Sequence, residues 1–169
     1  MEGADALGLI AEVGIAIAGF AGVVAALRAP GGRIRPYAAF RIGVLIGLSA
    51  SAVLLSMLPS TLHFAGVGGE SIWRLSSSVM VLLILAILLG SIRMVARLTR
   101  AGEEGPPGLR FFAPFIVSTY ASIVALQVAN VAFLQQLWPF HLGLLLMTAL
   151  SLVAFAYILF APTRAEVQA

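Results

Sequence analysis

The chain has 169 residues, of which 61% are hydrophobic and only 10% are charged. A soluble domain carries about 25% charged residues, so this chain has too few to cover a water-facing surface. The formal net charge is +3, and all ten basic residues are Arg. They lie beside apolar runs rather than massed on one exposed face, which excludes a nucleic-acid-binding surface. Cysteine is absent, which excludes disulfides, thiolate metal sites and a Cys nucleophile.

Five apolar runs are long enough for membrane helices, which need about 20 residues each. They predict an all-α, polytopic membrane bundle that forms a single transmembrane domain over residues 1–169. Pro59 is expected to end the second helix, Pro114 to open the fourth, and Pro162 to stop the fifth. The predicted helices cover about residues 7–27, 38–58, 71–98, 114–137 and 142–161.

The first run competes with a signal peptide, which begins with a positive segment. This run begins with Glu2 and Asp5 and contains Glu12, so a retained helix is predicted. Turn-forming Pro and Gly residues mark the connections between the helices. The predicted loops are Arg28–Tyr37, Pro59–Glu70, Thr99–Ala113 and Trp138–His141.

The arginines predict the orientation, because cytoplasmic loops carry an excess of basic residues. With five spans, nine of the ten arginines fall on one side and only Arg74 on the other. The N-terminus is therefore expected outside and the C-terminus in the cytoplasm. Arg in place of Lys, with much Ala and Gly, indicates a GC-rich bacterial genome and a bacterial cytoplasmic membrane. The nine are Arg28, Arg33, Arg35, Arg41, Arg93, Arg97, Arg100, Arg110 and Arg164.

The first helix carries small residues at a spacing of four, a pattern that lets helix backbones approach closely. This ladder is predicted to pack on protein and consists of Gly14, Ala18, Gly22 and Ala26. The opposite, bulky face is predicted to meet lipid or a partner. That face consists of Leu9, Ile10, Val13, Ile17, Phe20, Val24 and Leu27.

Glu12 is the most informative residue, because an ionisable group in a membrane helix is costly and tends to face a bundle interior or water. Arg74 enters the third helix from the same side at a similar depth and is its expected partner. One interpretation is a structural ion pair between the first and third helices. The alternatives are a cation-attracting ring in an oligomer and a proton-coupled carboxylate.

The fourth helix supplies a polar stripe, since Thr119, Tyr120, Gln127 and Asn130 fall within about 100° on the helical wheel. We predict that Glu12 and Arg74 join the last three of these residues in an ion- or substrate-binding site in the outer half of the membrane. The inner half is largely apolar. Interhelical hydrogen bonds are the alternative explanation for the two amides.

His63 and His141 are low-probability candidates for a haem or metal site, and both are predicted at outer helix ends. Neither a Cys nor a carboxylate pair completes such a site, so a place in the interfacial aromatic belt is favoured. No cofactor is expected. The sequence also lacks a phosphate loop, paired acids at helical spacing and a Ser–His–Asp set, so an enzyme is not predicted.

A two-helix repeat is a further possibility. Residues 35–40 resemble residues 110–115 at an offset of 75, and parallel repeats occur in transporters. Similarity between any two membrane hairpins, which share the same solvent, is the favoured explanation of the likeness.

The leading hypothesis is a small transport protein, an ion channel or small-solute carrier, that acts as a homo-oligomer in the lipid bilayer. Glu12 would then lie near the outer mouth of the path. The alternative is a non-conducting scaffold or accessory subunit of a larger membrane complex. A haem- or metal-binding membrane protein is third. The absence of a polar path through the inner half weakens the channel interpretation.

Overall fold

The computed structural model describes residues 4–27, 36–103 and 109–160, and within these ranges the chain is helical apart from short turns. All five predicted helices are present, and each is long and apolar enough to cross a membrane. They are α1 (Ala4–Leu27), α2 (Pro36–Phe64), α3 (Glu70–Arg100), α4 (Leu109–Ala129) and α5 (Leu137–Phe160), and a π-helical turn (Asn130–Leu134) extends α4.

Two prolines lie inside helices, so the predicted boundaries at Pro59 and Pro114 are wrong. A proline removes one backbone hydrogen bond, but membrane helices tolerate this loss because nearby hydroxyls and adjacent turns satisfy the freed groups. The chain leaves the helix only after Phe64, where Gly66 adopts a φ of 83°, the left-handed geometry that commonly ends helices.

The predicted loop at Trp138–His141 is also wrong, because α5 begins at Leu137. Pro139 is tolerated there, since the first turn of a helix has no earlier carbonyl to bond. The π-helical turn carries α4 on to Leu134, and only Gln135 and Gln136 connect it to α5. Gln135 has a left-handed φ of 52°.

The helices alternate in direction, and each packs on its neighbour in the chain. In addition, α5 contacts α1 and α2, which places it at the centre of the bundle. The N-terminus of α1 and the turns after α2 and α4 share one end of the molecule, which we call the amino end. The opposite end, here the carboxyl end, holds Leu27, Pro36, Arg100 and Phe160. The predicted loop arginines Arg28, Arg33 and Arg35, as well as Pro162 and Arg164, lie outside the described residues.

The described arginines follow the predicted division between the two ends. Arg41, Arg93, Arg97 and Arg100 lie toward the carboxyl end, and Arg74 lies near the amino end. The guanidinium of Arg41 stacks over the ring of Tyr157 at 4.4 Å, a favourable cation–π arrangement.

A large hydrophobic core joins all five helices and includes Leu55, Met80, Ile123 and Phe140. A smaller cluster around Ile17, Leu45 and Ile158 joins α1, α2 and α5 toward the carboxyl end. Beyond Ile84, only Leu98 of α3 is fully buried, so the second half of α3 presents most of its surface outward.

Candidate functional site

The predicted amides meet in a buried network near the amino end. The Ser77 hydroxyl of α3 donates to Gln127 Oε1 at 2.8 Å, and Asn130 Nδ2 donates to the Ser77 oxygen at 2.8 Å. All three side chains are 0% exposed. The network therefore ties α3 to the end of α4.

The same amides fasten α4 to α5. Gln127 Nε2 donates to the carbonyl of Pro139 at 2.7 Å. Asn130 Oδ1 accepts the backbone N–H of Gln136 at 2.9 Å, and Asn130 Nδ2 donates to the Gln136 carbonyl at 3.1 Å. The Gln135 N–H completes the π-helical turn by donating to the Asn130 carbonyl at 2.9 Å. The Asn130 side chain therefore hydrogen-bonds both the N–H and the carbonyl of Gln136 in the short connection between the π-helical turn and α5.

Gly143 makes room for the Gln127 amide. A Cβ added at Gly143 would lie 2.5 Å from Gln127 Nε2 and 2.9 Å from the sulfur of Met80. Real Cβ atoms do not approach so closely, so a larger residue at this helix crossing would displace the Gln127 amide and the Met80 side chain. The amide groups of Gln127 and Asn130 are each engaged at both the oxygen and the nitrogen. This arrangement has the form of a structural network rather than an open binding site.

Tyr120, another predicted site residue, does not join this network. It lies in the hydrophobic core almost two turns before Gln127 and is 6% exposed. The neighbouring Thr119 directs its hydroxyl to the carbonyl of Phe115 in its own helix at 2.9 Å. The polar stripe of α4 is thus divided, and only its amino-end portion links helices.

The structure does not bring Glu12 and Arg74 together, and no ion pair joins them in the described part of the chain. Glu12 is exposed on α1, which packs on α2 and α5. Arg74 instead donates to the side-chain oxygen of Gln135, whose amide nitrogen donates to Glu70 at 3.0 Å, with the amide oriented to satisfy both partners. The ion-pair expectation failed because depth alone does not determine which side of a helix a residue occupies.

The small-residue ladder of α1 is split between two faces. Gly14 is buried, and an added Cβ there would lie 2.9 Å from Val53 Cγ2 and 3.1 Å from the Ser49 carbonyl oxygen. Gly22 has open space around it, Ala26 is exposed and Ala18 is half-buried. A spacing of four advances 40° around the helix at each step, so Gly14 and Ala26 differ by 120°. These four residues therefore cannot share one face.

The predicted lipid-facing assignment of Ile17 is wrong, because its side chain is only 5% exposed. Ile10, which was placed on the same bulky face, is also buried, at 4%. The inward face of α1 combines these two residues with Leu7, Gly14 and Ala21. Gly14 is thus the one glycine at which α1 packs closely on α2. Bulky side chains fill the rest of the inward face of α1.

The outward face of α1 carries a second regular pattern that the sequence interpretation missed. Its residues are spaced alternately by four and three, the spacing that holds a stripe on one side of a helix. Glu12 is the second residue of this face counted from the amino end, and nothing would meet a Cβ added at Gly8, Gly19 or Gly22. We call this the outward stripe of α1, and it consists of Gly8, Glu12, Ile15, Gly19, Gly22 and Ala26.

The two histidines do not form a metal site with other ligands. His63 is exposed near the end of α2, and His141 is half-buried in the second turn of α5. Across residues 4–27, 36–103 and 109–160, no group of three or more His, Asp or Glu residues could hold a metal ion.

A crevice of about 250 Å³ opens between α1 and the last turns of α2, at the amino end of the molecule. Its lining is mainly apolar and includes Leu7, Met57 and Phe64, together with the hydroxyl of Ser60. The Thr61 hydroxyl at its edge donates to its own helix, at the Met57 carbonyl.

No family model, curated protein or solved structure matches this chain.

Proposed function

We propose that this chain is a self-associating membrane scaffold whose copies pack through the outward stripe of α1. The carrying observation is the position of Glu12, which is exposed on the outward stripe and faces away from its own bundle. The partner is a second copy of this chain, with its α1 parallel to the first. This is the non-conducting alternative among the functions that the sequence suggests.

The free energy of Glu12 in the bilayer supports an interface at this position. Placing a charged side chain against lipid costs free energy, up to a few kcal/mol at the membrane centre. The described part of the chain gives Glu12 no ion-pair partner. A second α1 would remove the carboxyl group from lipid. The two Glu12 side chains then hydrogen-bond to each other when one of them carries a proton, because two ionised carboxylates have only acceptors.

The small residues of the stripe support the same proposal. A Cβ added at Gly8, Gly19 or Gly22 would meet nothing in its own chain, although Gly8 also borders the crevice between α1 and α2. Membrane helices associate through small residues because their backbones can then come close enough for van der Waals contact. Single leucines at these positions would serve equally well against lipid, so the glycines favour a helix partner.

The interior of a single copy gives less support to a carrier. The buried amides near the amino end bond to each other and to backbone groups. Toward the carboxyl end, the core is built from apolar residues such as Leu45 and Ile158. A substrate path through one copy would have to break the hydrogen bonds of the buried amides and then cross the apolar core at the carboxyl end.

Ion conduction between copies is the second candidate, and one observation favours it. Because Glu12 is exposed and lies nearer the amino end than the centre of α1, several copies would place a ring of carboxylates near one mouth of a central space. Such rings attract cations in many channels.

Variants of Glu12 distinguish the two candidates. A glutamine at position 12 keeps the hydrogen-bonding group and removes the charge, whereas a leucine removes both. For a scaffold, we expect Glu12→Gln to retain the oligomer, and Glu12→Leu to weaken association by about tenfold, a change that corresponds to roughly 1.4 kcal/mol. The measurement is the oligomer fraction as a function of protein concentration in detergent.

Cation flux into liposomes that contain the same three proteins is the second readout. No flux is expected for any of them. Flux in the wild type that falls in Glu12→Gln would refute the scaffold and favour the channel. Full oligomer formation by Glu12→Leu would show that the carboxyl group has no part in the interface.

The orientation and localisation belong to the same proposal. The N-terminus lies outside and the carboxyl end of the bundle lies in the cytoplasm of a bacterium, because the described arginines concentrate at that end. A cysteine placed at the exposed Gly68 should react with an impermeant thiol reagent in intact cells. A cysteine at Gly105, which lies outside the described residues, should be protected. Reaction of the second but not the first would reverse the orientation.

A further inference from the structure

The last turns of α3 carry three arginines on one side. Arg93, Arg97 and Arg100 are spaced by four and three residues, which places them within about 60° of one another around the helix. All three are exposed. No ion pair engages them within the part of the chain that the structure describes. They form an arginine face with free guanidinium groups.

The length of α3 determines the depth of this face. The helix has 31 residues, and a rise of 1.5 Å per residue places Arg93 about 35 Å from Glu70 along the axis. The hydrocarbon core of a bilayer is about 30 Å thick, and each headgroup layer adds about 5–7 Å. If Glu70 lies at the outer edge of one headgroup layer, Arg93 reaches the opposite boundary of the hydrocarbon. Arg97, at about 40 Å from Glu70, then lies in the headgroup layer, and Arg100, at about 45 Å, lies at its outer edge.

The exposure of the neighbouring side chains agrees with this depth. Leu85, Leu89 and Ile92 are 47%, 48% and 58% exposed, as expected for side chains that face lipid tails. The basic side chains begin immediately after them. The surface of α3 thus changes from apolar to cationic where the hydrocarbon ends.

The end of α3 holds the arginine face in place. The N–H of Ala101 donates to the Arg97 carbonyl at 3.0 Å, and the N–H of Glu103 donates to the Leu98 carbonyl at 3.1 Å. Gly102 has the φ of 76° that such a cap requires. Leu98, on the opposite side from Arg93 and Arg100, is 7% exposed and anchors this segment to the bundle. The guanidinium groups are therefore presented from an ordered helix.

We propose that this arginine face binds the phosphate groups of anionic phospholipids in the leaflet at the carboxyl end. Guanidinium groups suit phosphate because they donate paired hydrogen bonds as well as carrying charge. Each basic side chain at a membrane surface contributes about 1 kcal/mol of attraction to anionic lipid. Three on one face can hold anionic lipids at a fixed place on the protein. This site is independent of the association of α1.

The test measures which lipids remain bound when the protein is extracted from mixed membranes. Wild-type protein is reconstituted into vesicles of phosphatidylcholine and phosphatidylglycerol, extracted in mild detergent, and analysed for the ratio of the two lipids. We expect phosphatidylglycerol to be enriched over its share in the vesicle. Each single Arg→Gln change at the three positions should lower the enrichment, by up to about fivefold.

Two control variants separate lipid binding from folding and from general charge. Arg74→Gln removes an arginine at the amino end and should leave the enrichment unchanged. A triple variant with lysine at positions 93, 97 and 100 keeps the charge and should retain most of the phosphatidylglycerol enrichment. Enrichment that survives the triple Arg→Gln change, or that Arg74→Gln reduces equally, would overturn the proposal. So would displacement of the lipid by inorganic phosphate at constant ionic strength, because it would indicate a site for free phosphate.

Discussion

Gly143→Ala is expected to destabilise the protein strongly although it adds a single methyl group. The new Cβ would lie 2.5 Å from Gln127 Nε2 and 2.9 Å from the Met80 sulfur, so the amide must move. Overpacking of this kind costs about 1–3 kcal/mol. Loss of the bond from Gln127 Nε2 to the Pro139 carbonyl leaves a buried amide donor unsatisfied, which costs about 1–3 kcal/mol more. The measurement is thermal unfolding of the purified protein in detergent.

Gly90→Ala is the matched control, because Gly90 also lies within a long apolar helix but has open space around it. This change should be neutral or stabilise the protein by up to about 1 kcal/mol, since alanine is the better helix former. The double variant Gly143→Ala/Gln127→Ala should lose less stability than the two single changes combined, because removal of the amide relieves the clash. Equal stability of Gly143→Ala and Gly90→Ala would show that the amide does not pack against Gly143.

Gly14→Leu is expected to prevent correct folding, whereas Gly22→Leu should leave the fold of a single copy intact. A side chain at Gly14 meets Val53 and the backbone carbonyl of Ser49 at 3.1 Å, and a helix backbone cannot move aside without separating α1 from α2. We expect a loss above about 3 kcal/mol, at the upper end for overpacked sites. At Gly22 there is nothing to displace within the chain. Thermal unfolding under conditions that dissociate any oligomer measures the stability of both variants.

The same pair of variants also tests the two faces of α1. Under associating conditions Gly22→Leu should shift the protein toward the monomer, because a leucine on the outward stripe separates the backbones of two copies. If Gly22→Leu unfolds as readily as Gly14→Leu, Gly22 lies in the core and the assignment of the faces is incorrect.

The sequence predicted the number of helices because hydropathy over about 20 residues reports burial in lipid, which needs no knowledge of neighbours. The ends of the helices were harder to predict from the sequence. Pro59 and Pro114 lie inside their helices, and the rule that a proline ends a helix weakens where hydroxyls and neighbouring turns can bond the freed carbonyls. At the π-helical turn the Asn130 side chain hydrogen-bonds to the backbone of Gln136. No local sequence pattern predicts these hydrogen bonds.

The candidate site was predictable in part. The shared side of Gln127 and Asn130 follows from helical periodicity, but their partners Ser77 and the Pro139 carbonyl come from other helices. Those contacts depend on how the helices pack. The neighbour of Arg74 was missed for the same reason, since Gln135 reaches it from the connection after α4. The outward stripe of α1 could have been found by testing the four–three spacing alongside the spacing of four.

Cysteine cross-linking along α1 tests most directly whether copies pack through the outward stripe. The chain contains no cysteine, so each single replacement gives a unique reporter. The stripe positions are Gly8, Ile15, Gly19 and Ala26, and the controls are Leu9 and Phe20 on the flank of α1, at 61% and 65% exposure, with Gly90 on α3. We predict that mild oxidation in membranes gives disulfide-linked dimers at the stripe positions, weakly at the flank and not at Gly90. Absence of dimers along α1, or equal yields at Gly90 and the stripe, would contradict the account.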